Sequence, residues 1–238
     1  EKFQHGGYVT IIIASVVLFI MYVRHHATNI KRRLTDFVKI KDYLPQLIPL
    51  SNDTTLPKYA TNLVFLSSAQ NDDEIEQKIM YSVLQKLPKR ADIYWFIHID
   101  TTDEPHTMEY KTTVFAKNDV IKVRFRLGFR VEQKISMFLR LVIQEMVKNK
   151  EIDIESRYHS LKEQNIVGDF RFVILEEVLS SDNELPFGEQ FIMNADITIK
   201  HFTSSPEKWF GLDTSLVIIE KVPLIIRPAK DIKLQRII

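Results

Sequence analysis

The first apolar stretch of the chain, residues 8–23, is long enough to cross a membrane. It carries no charge, and only Thr10 and Ser15 within it are clearly polar. With the two preceding glycines, a helix of these residues extends about 27 Å, close to the roughly 30 Å of a hydrocarbon core. Because the run is apolar on every side, we predict a membrane span rather than a buried core helix. A secretory signal peptide is disfavoured, since only Lys2 precedes the run and no small-residue cleavage pattern follows.

Basic residues follow the apolar run and predict its orientation. They are Arg24, Lys31, Arg32, Arg33, Lys39 and Lys41, with His25 and His26 among them. An excess of cations marks the cytoplasmic side of a span, so we expect everything after Arg24 to be cytoplasmic. Residues 24–41 also show apolar positions at helical spacing, which predicts a basic juxtamembrane helix near an anionic membrane surface. Alternatively, these charges only set the orientation of the span in the membrane.

Three prolines then predict a linker before the main domain. Pro45, Pro49 and Pro57 lie too close together for a regular helix. We therefore divide the chain into a membrane helix (1–23), a basic helix with a proline-containing linker (24–61) and a cytosolic α/β domain (62–238).

The α/β prediction rests first on two apolar strands around a helix. Residues 63–66 and 92–100 are continuous apolar or aromatic runs, as expected of strands that are buried on both faces. Between them, Asp73 and Glu76 have the spacing of a capping box that starts a helix. A strand, a helix and a second strand make a right-handed crossover unit with parallel strands.

The second half of the chain predicts a mixed sheet. Residues 121–127 alternate between apolar and basic, and with 110–115 they predict a hairpin that has one face in water. The remaining predicted elements are a helix at 132–150, a weakly patterned excursion at 151–168, a strand at 170–178, a helix at 187–202, and one or two strands at 216–219 and 222–226. The predicted fold is an α/β domain with a mixed β-sheet flanked by helices, tethered to the membrane by one N-terminal helix.

Composition limits the possible chemistry. The formal net charge of the 238 residues is +1, which gives no overall case for a nucleic-acid partner. The chain has no cysteine, so disulfides, thiol catalysis and cysteine zinc sites are excluded. We expect no cofactor. Because the chain starts at Glu1 rather than at a methionine, we also expect it to be a piece of a longer protein.

His98, Asp100 and His106 form the one close grouping that suggests catalysis. His98 and Asp100 alternate on one face at the end of a strand, where α/β folds bind ligands. A metal site needs three or four ligands of matched geometry, and His106 lies on a loop of unknown path. These residues therefore allow two interpretations. The chain is a membrane-anchored phosphohydrolase that uses them, or His98 and Asp100 are structural polar residues at the end of a strand.

A row of cations and a polar loop are the candidates for ligand binding. Lys122, Arg124 and Arg126 lie about 7 Å apart along one strand face, where they could bind phosphates, face the anionic membrane or pair with surface acids. The chain has no glycine-rich phosphate loop, so a nucleotide would be bound through side chains and helix N-termini. The loop after the first strand, with Ser67, Ser68 and Asn71, is the natural position, although a plain polar loop explains it equally.

Several segments together resemble a known transporter family. They are His-Gly-Gly-Tyr at 5–8, Met-Tyr-Val-Arg at 21–24, Asn-Leu-Val-Phe-Leu-Ser at 62–67 and Phe-Ile-Met-Asn-Ala-Asp at 191–196. Their order resembles the last transmembrane helix and the C-terminal cytoplasmic domain of bacterial Kup-type potassium uptake permeases, the KUP/HAK/KT family. Tyr8 stands where the family usually has tryptophan, and the polar residues of 191–196 differ from the family pattern.

The resemblance implies a multi-pass cell-membrane protein that takes up potassium together with a proton and is not an enzyme. The ion-binding residues of the family lie on earlier helices, so none is carried over to this chain. The cytosolic domain is implied to regulate uptake, to resemble the universal stress protein fold and to bind cyclic di-AMP. We also expect a homodimer, from the general preference for twofold association. A structural adaptor that binds only a protein partner remains the third reading, beside the permease and the phosphohydrolase.

Overall fold

The computed structural model describes residues 8–153, 168–178, 185–201, 206–212 and 214–224. Its described residues fall into two compact units. The helical unit consists of residues 8–35 and 185–201, and the sheet unit contains the rest. The excursion predicted at 151–168 lies mostly outside the described residues.

The elements follow the predicted α/β pattern. The helices are α1 (Tyr8–Leu34), α2 (Ile40–Asn52), α3 (Gln77–Met80), α4 (Ile135–Lys148), α5 (Phe187–His201) and α6 (Pro206–Trp209). The strands are β1 (Phe37–Lys39), β2 (Ala60–Ser67), β3 (Glu74–Glu76), β4 (Ala91–Thr102), β5 (Met108–Ala116), β6 (Val120–Gly128), β7 (Phe170–Val178) and β8 (Leu216–Pro223). A π-helical turn, Tyr81–Lys86, continues α3.

Helix α1 changes its surroundings along its length. Within the described residues it is the one helix that is long and apolar enough to span a membrane. Every side chain from 8 to 22 is exposed, and burial starts at Val23. Val23, Ala27 and Ile30 form a buried stripe at helical spacing, and α1 contacts α5 in the helical unit. The apolar part of α1 is therefore uncovered, whereas its basic part packs against another helix.

The sheet unit contains a six-stranded mixed sheet in the order β5-β6-β4-β2-β7-β8. All neighbouring pairs are parallel except β5 and β6, which form the predicted antiparallel hairpin. From β2 the chain moves outward to β4 and β6, and then returns to place β7 and β8 on the other side of β2. The predicted mixed sheet flanked by helices is confirmed.

The sheet is apolar on both faces because each face has its own core. In β4, Trp95 packs in a cluster with α4, whereas its neighbours Tyr94 and Phe96 point to a cluster with α2 and the α3 segment. Alternation along a strand sends successive side chains to opposite faces. This explains why residues 92–98 form a continuous buried run rather than an alternating one.

Two local predictions were wrong. Residues 40–52 form helix α2 although it contains Pro45 and Pro49. Both prolines are exposed and lie one turn apart, while Leu47 on the other side is fully buried, so packing outweighs the missing backbone hydrogen bonds. Asp73 and Glu76 do not form a capping box either: Glu76 ends the short strand β3 and is itself the N-cap residue of the helix that begins at Gln77, with no side-chain capping hydrogen bond.

Candidate functional site

The strand order identifies one edge of the sheet as the candidate site. The chain leaves β2 in one direction and returns to β7 beside it, so the carboxyl ends of these two strands flank a switch point in the topology. Open α/β sheets bind ligands at such a point. We call the polar groups there the strand-end site. It consists of Ser67, Ser68, Glu76, Lys78 and Glu177.

A buried carboxylate occupies the centre of the strand-end site. The Glu76 side chain is 1% exposed. Its Oε2 accepts a hydrogen bond from Ser67 Oγ at 2.6 Å, and its Oε1 accepts from Ser68 N at 2.6 Å and Ser68 Oγ at 2.7 Å. Three donors converging on one anion form the kind of arrangement that would otherwise hold a phosphate. Glu76 therefore supplies an internal anion at the position where doubly wound sheets bind an external one.

Lys78 connects this carboxylate to the neighbouring strand. Its Nζ lies 2.6 Å from Glu177 Oε1 on β7 and 4.0 Å from Glu76 Oε1. The cation thus bridges a carboxylate on β3 and a carboxylate on β7. The strand-end site is held together by charge as well as by hydrogen bonds.

We expect Glu76→Gln to lower the free energy of unfolding by about 1–3 kcal/mol. The amide keeps the shape of the side chain but places an N–H group opposite the Ser67 and Ser68 donors. Urea denaturation followed by circular dichroism measures the change. Glu74→Gln is the matched control, because Glu74 is less buried and its side chain accepts only from Asn71 Nδ2 at 2.7 Å in the described hydrogen bonds. Equal effects of the two substitutions would contradict the role given to Glu76.

A second polar network runs from β2 across β4 to β6. His98 Nδ1 lies 2.9 Å from Ser67 O, and His98 Nε2 lies 2.8 Å from Asp100 Oδ1. Carbonyl and carboxylate oxygens both accept, so whichever ring nitrogen carries a proton donates it to the oxygen that it faces. Asp100 Oδ2 then accepts from Arg124 Nε at 2.6 Å, and Arg124 Nη1 reaches Asp72 Oδ1 at 3.2 Å.

The network shifts its acids towards the charged form. Burial by itself would raise the pKa of Asp100, but hydrogen bonds from Arg124 and His98 outweigh it and lower the pKa. A hydrogen bond from Lys111 is the main cause of the lowered pKa of Asp72. Asp100 and Asp72 are therefore held as carboxylates by cations of the same sheet edge.

The lowered pKa of Asp100 predicts an acid-dependent loss of stability. A depressed folded-state pKa adds stability above the ordinary value of 3.8, and this contribution is lost as the pH falls through the folded value. We expect the melting temperature of the Asp100→Asn variant to fall less on acidification than that of the unchanged chain. Thermal melts from neutral pH to below 3.8 measure both slopes. Parallel slopes would show that Asp100 does not carry this dependence.

The predicted catalytic trio is only partly brought together. His98 and Asp100 are in direct contact, whereas His106 is exposed on the loop between β4 and β5. Across the described residues, no group of three histidine, aspartate or glutamate side chains is arranged to hold a metal ion. The contacts of His98 and Asp100 are those of a structural network at the sheet edge.

The predicted basic row divides into three different environments. Lys122 is 2% exposed and donates to Asn71 O at 2.6 Å and Glu74 O at 2.7 Å, and burial lowers its pKa. Arg124 belongs to the Asp100 network, and Arg126 forms an exposed pair with Glu109 at 2.7 Å. The expectation that this strand has a wet face is wrong at Lys122, because the loop at 69–74 covers it. A ligand-binding role for the row stays a prediction.

Sequence reasoning found two serines of the strand-end site but missed its acids and Lys78. Glu76 was assigned to a cap, and Glu177 carries no local signal because it lies 99 residues from Lys78. The buried Lys89 carries no such signal either: its Nζ pairs with Glu220 Oε2 at 3.1 Å and so joins the loop before β4 to β8. Such pairs form only where two distant strands become neighbours in the sheet. The residues around each partner in the sequence do not indicate which strands these will be.

Comparison with known proteins identifies the family. Residues 60–224 match the family model described as the K+ potassium transporter C-terminal domain. Proteins named "Probable potassium transport system protein Kup" align with all of this chain at 53% identity in Cytophaga hutchinsonii and 48% in Flavobacterium psychrophilum, and with 99% of it at 45% identity in Clostridium perfringens.

The aligned region is 36% of each relative, so the chain spans about a third of their length. No solved structure matches the chain, and the likeness to the universal stress protein fold stays a prediction. The family model covers the whole six-stranded sheet, from the first residue of β2 to just beyond β8. This chain therefore belongs to the family of K+ potassium transporter C-terminal domains.

Proposed function

We propose that this chain is the C-terminal part of a proton-coupled potassium uptake transporter. The observation that carries the proposal is the alignment of the whole chain, including α1, with proteins named as potassium transport systems. In this proposal residues 8–23 are the last span of a multi-pass protein, and everything after Arg24 is cytoplasmic. The excess of cations directly after the apolar run supports that orientation.

The sheet unit regulates uptake in this proposal and does not conduct the ion. Residues 8–23 contain no carboxylate and few hydroxyls, so the span has little to offer a potassium ion as ligands. The ion path then lies in the part of the longer protein that precedes this chain. Homodimers formed through the sheet unit would follow the general preference of soluble domains for twofold association.

Transport is tested with the longer protein that contains this chain. In a bacterium that lacks its own potassium uptake systems, expression is expected to restore growth at low external potassium and uptake of rubidium. Empty vector is the control, and membrane insertion is checked by fractionation. A well-inserted protein that restores neither growth nor rubidium uptake would overturn the proposal.

Cyclic di-AMP is the regulatory ligand that we propose for the sheet unit, with the strand-end site and Arg126 as its contacts. A phosphate at Ser67 and Ser68 would have to displace the carboxylate of Glu76, so binding and a local rearrangement would be coupled. A ligand has this effect only if it prefers one of the two conformations. Such coupling would make the site a regulatory element.

A thermal-shift titration of the full chain in detergent tests this ligand, with AMP and ATP as controls. A ligand present at a hundred times its dissociation constant adds about 2.7 kcal/mol of stability if it binds only the folded state. Arg126→Gln is expected to weaken the shift, whereas Lys117→Gln, which removes an exposed charge from the turn at the amino end of β6, should leave it unchanged. If a folded chain shows no shift in melting temperature, cyclic di-AMP is excluded as the ligand. The role that then remains for the domain is the binding of a partner protein.

A further inference from the structure

Strand β5 forms one edge of the six-stranded sheet and is open along its length. In the part of the chain that the structure describes, β5 pairs only with β6, and none of its nine residues is buried, whereas most of β6 is buried. The outer backbone N–H and C=O groups of an edge strand are a template on which another strand can pair. Proline or a very short strand often blocks such an edge, and β5 has neither feature.

Apolar side chains are exposed on one face of this edge. Met108, Tyr110 and Val114 are exposed and alternate along β5, so they point to the same side of the sheet. Their partners on β6 belong to the core cluster that contains α4, which identifies this side as the one that α4 covers. The Tyr110 hydroxyl donates to Glu145 of α4, and Leu141, one turn before Glu145, is exposed as well. Exposed apolar groups collected in this way mark a surface for a protein partner.

The other face of β5 carries two charges in an order that suits antiparallel pairing with a second copy. Glu109 and Lys111 flank Tyr110, and their side chains are 58% and 66% exposed. Within one copy they form exposed ion pairs with Arg126 and Asp72. If two copies of β5 run antiparallel with Tyr110 opposite Tyr110, Glu109 of each copy faces Lys111 of the other. Opposite charges directly across a strand pair stabilise it.

The other registers lack this match. Residues that face each other across a strand pair point to the same side of the sheet, so a twofold axis between two copies of β5 passes through a residue. An axis at Glu109 or Lys111 places two like charges face to face, which is destabilising. An axis at Thr112 places Lys111 opposite Thr113. Only the register centred on Tyr110 brings Glu109 opposite Lys111.

We propose that two copies of this chain associate edge to edge through β5, so that their sheets join into one. The inference rests on the homodimer proposed above and names its surface. In this dimer the outer backbone groups of β5 form a hydrogen-bonded ladder, and Glu109 and Lys111 form two symmetry-related ion pairs. On the α4 side, Tyr110 packs against its own copy with Met108 beside it.

The absence of cysteine from the chain allows a direct test by cross-linking. Facing Cα atoms of an antiparallel pair lie about 4.5–5.5 Å apart, within the roughly 4.4–6.8 Å that a disulfide spans. In the full chain, purified in detergent, we expect Tyr110→Cys to give a disulfide-linked dimer on mild oxidation. Electrophoresis without reducing agent measures the dimer fraction.

Ile219→Cys is the matched control for the cross-linking. Ile219 lies on β8 at the opposite edge of the sheet and is 45% exposed, close to the 41% of Tyr110. We expect this variant to remain mostly uncross-linked. Equal cross-linking of the two variants, or none at position 110, would overturn the proposed interface.

Charge reversal tests the register. Glu109→Lys places a cation opposite Lys111 of the other copy and is expected to weaken the dimer roughly tenfold, as measured by light scattering over a dilution series. The double variant Glu109→Lys with Lys111→Glu restores opposite charges across the axis and is expected to recover the dimer. Both positions are exposed, so thermal melts of the variants should differ little from that of the unchanged chain. A dimer that the double variant fails to recover, with an unchanged melt, would contradict this register.

Rubidium uptake by the longer protein separates this inference from the proposed transport function. If Tyr110→Cys does not cross-link and uptake persists, edge pairing through β5 is wrong and the transport proposal stands. If the cross-link forms and the inserted protein shows no uptake, the interface stands and the transport proposal is overturned.

Discussion

Replacing Asp196 with alanine is expected to detach α5 from α1. The side chain is 2% exposed and faces Arg24, Lys31 and Lys200, so its substitution removes the carboxylate that these three cations share. Removing one partner of a buried ion pair costs about 3–5 kcal/mol, and we expect the lower end because Arg24 and Lys200 are half exposed. Hydrogen exchange of the backbone amides at 187–201, measured on the full chain in nanodiscs, is expected to become markedly faster.

Glu189→Ala is the control for this prediction. It removes the ion pair of Glu189 with Arg33, in which Arg33 is 61% exposed, and an exposed pair contributes about 0–1 kcal/mol. Amide exchange along α5 should therefore change little. If the two variants exchange at the same rate, the buried carboxylate is not what joins the helices.

The second large effect is expected at Trp95. Its side chain is fully buried in the core cluster that also contains α4, and its Nε1 donates to Asn62 Oδ1 at 3.1 Å. Trp95→Ala is expected to lower the free energy of unfolding of the sheet unit by about 3–5 kcal/mol, since it leaves a large cavity and an unsatisfied amide oxygen. Urea denaturation followed by far-ultraviolet circular dichroism measures this loss.

The other tryptophan of the chain provides the matched control. Trp209 is 64% exposed, so Trp209→Ala is expected to change the unfolding midpoint by no more than a typical surface substitution, within about 0.5 kcal/mol. Trp209→Phe also leaves Trp95 as the single indole, so that its fluorescence reports directly on the core. Similar losses for Trp95→Ala and Trp209→Ala would contradict the assignment of the core.

The strands could be predicted because their signal is local. Continuous apolar runs at 63–66 and 92–100 predicted strands that are covered on both faces, and β2 and β4 have these properties. The predicted strand at 170–178 coincides with β7. A continuous apolar run predicts a strand that is buried on both faces, whereas an alternating run predicts a strand that is buried on one face.

The errors arose where distant parts of the chain decide the environment. Lys122 alternates with apolar residues and so predicts a wet face, yet the loop at 69–74 folds over it and accepts its hydrogen bonds through backbone oxygens. Prolines in α2 predicted a linker, but burial of Leu47 favours a helix there. Asp196 and Arg24 are 172 residues apart, so neither residue carries a local sign of the other.

The strand order has a consequence for how the protein is made. The central strand β2 pairs with β7 from Asn62 opposite Phe170, a separation of 108 residues. At a synthesis rate of about 5–20 residues per second, β2 waits roughly 5–20 s for that partner after it leaves the ribosome. The membrane helix is made before any of these strands. During this interval a nascent chain holds an incomplete apolar sheet, and exposed apolar surface and unpaired strand edges of this kind favour aggregation.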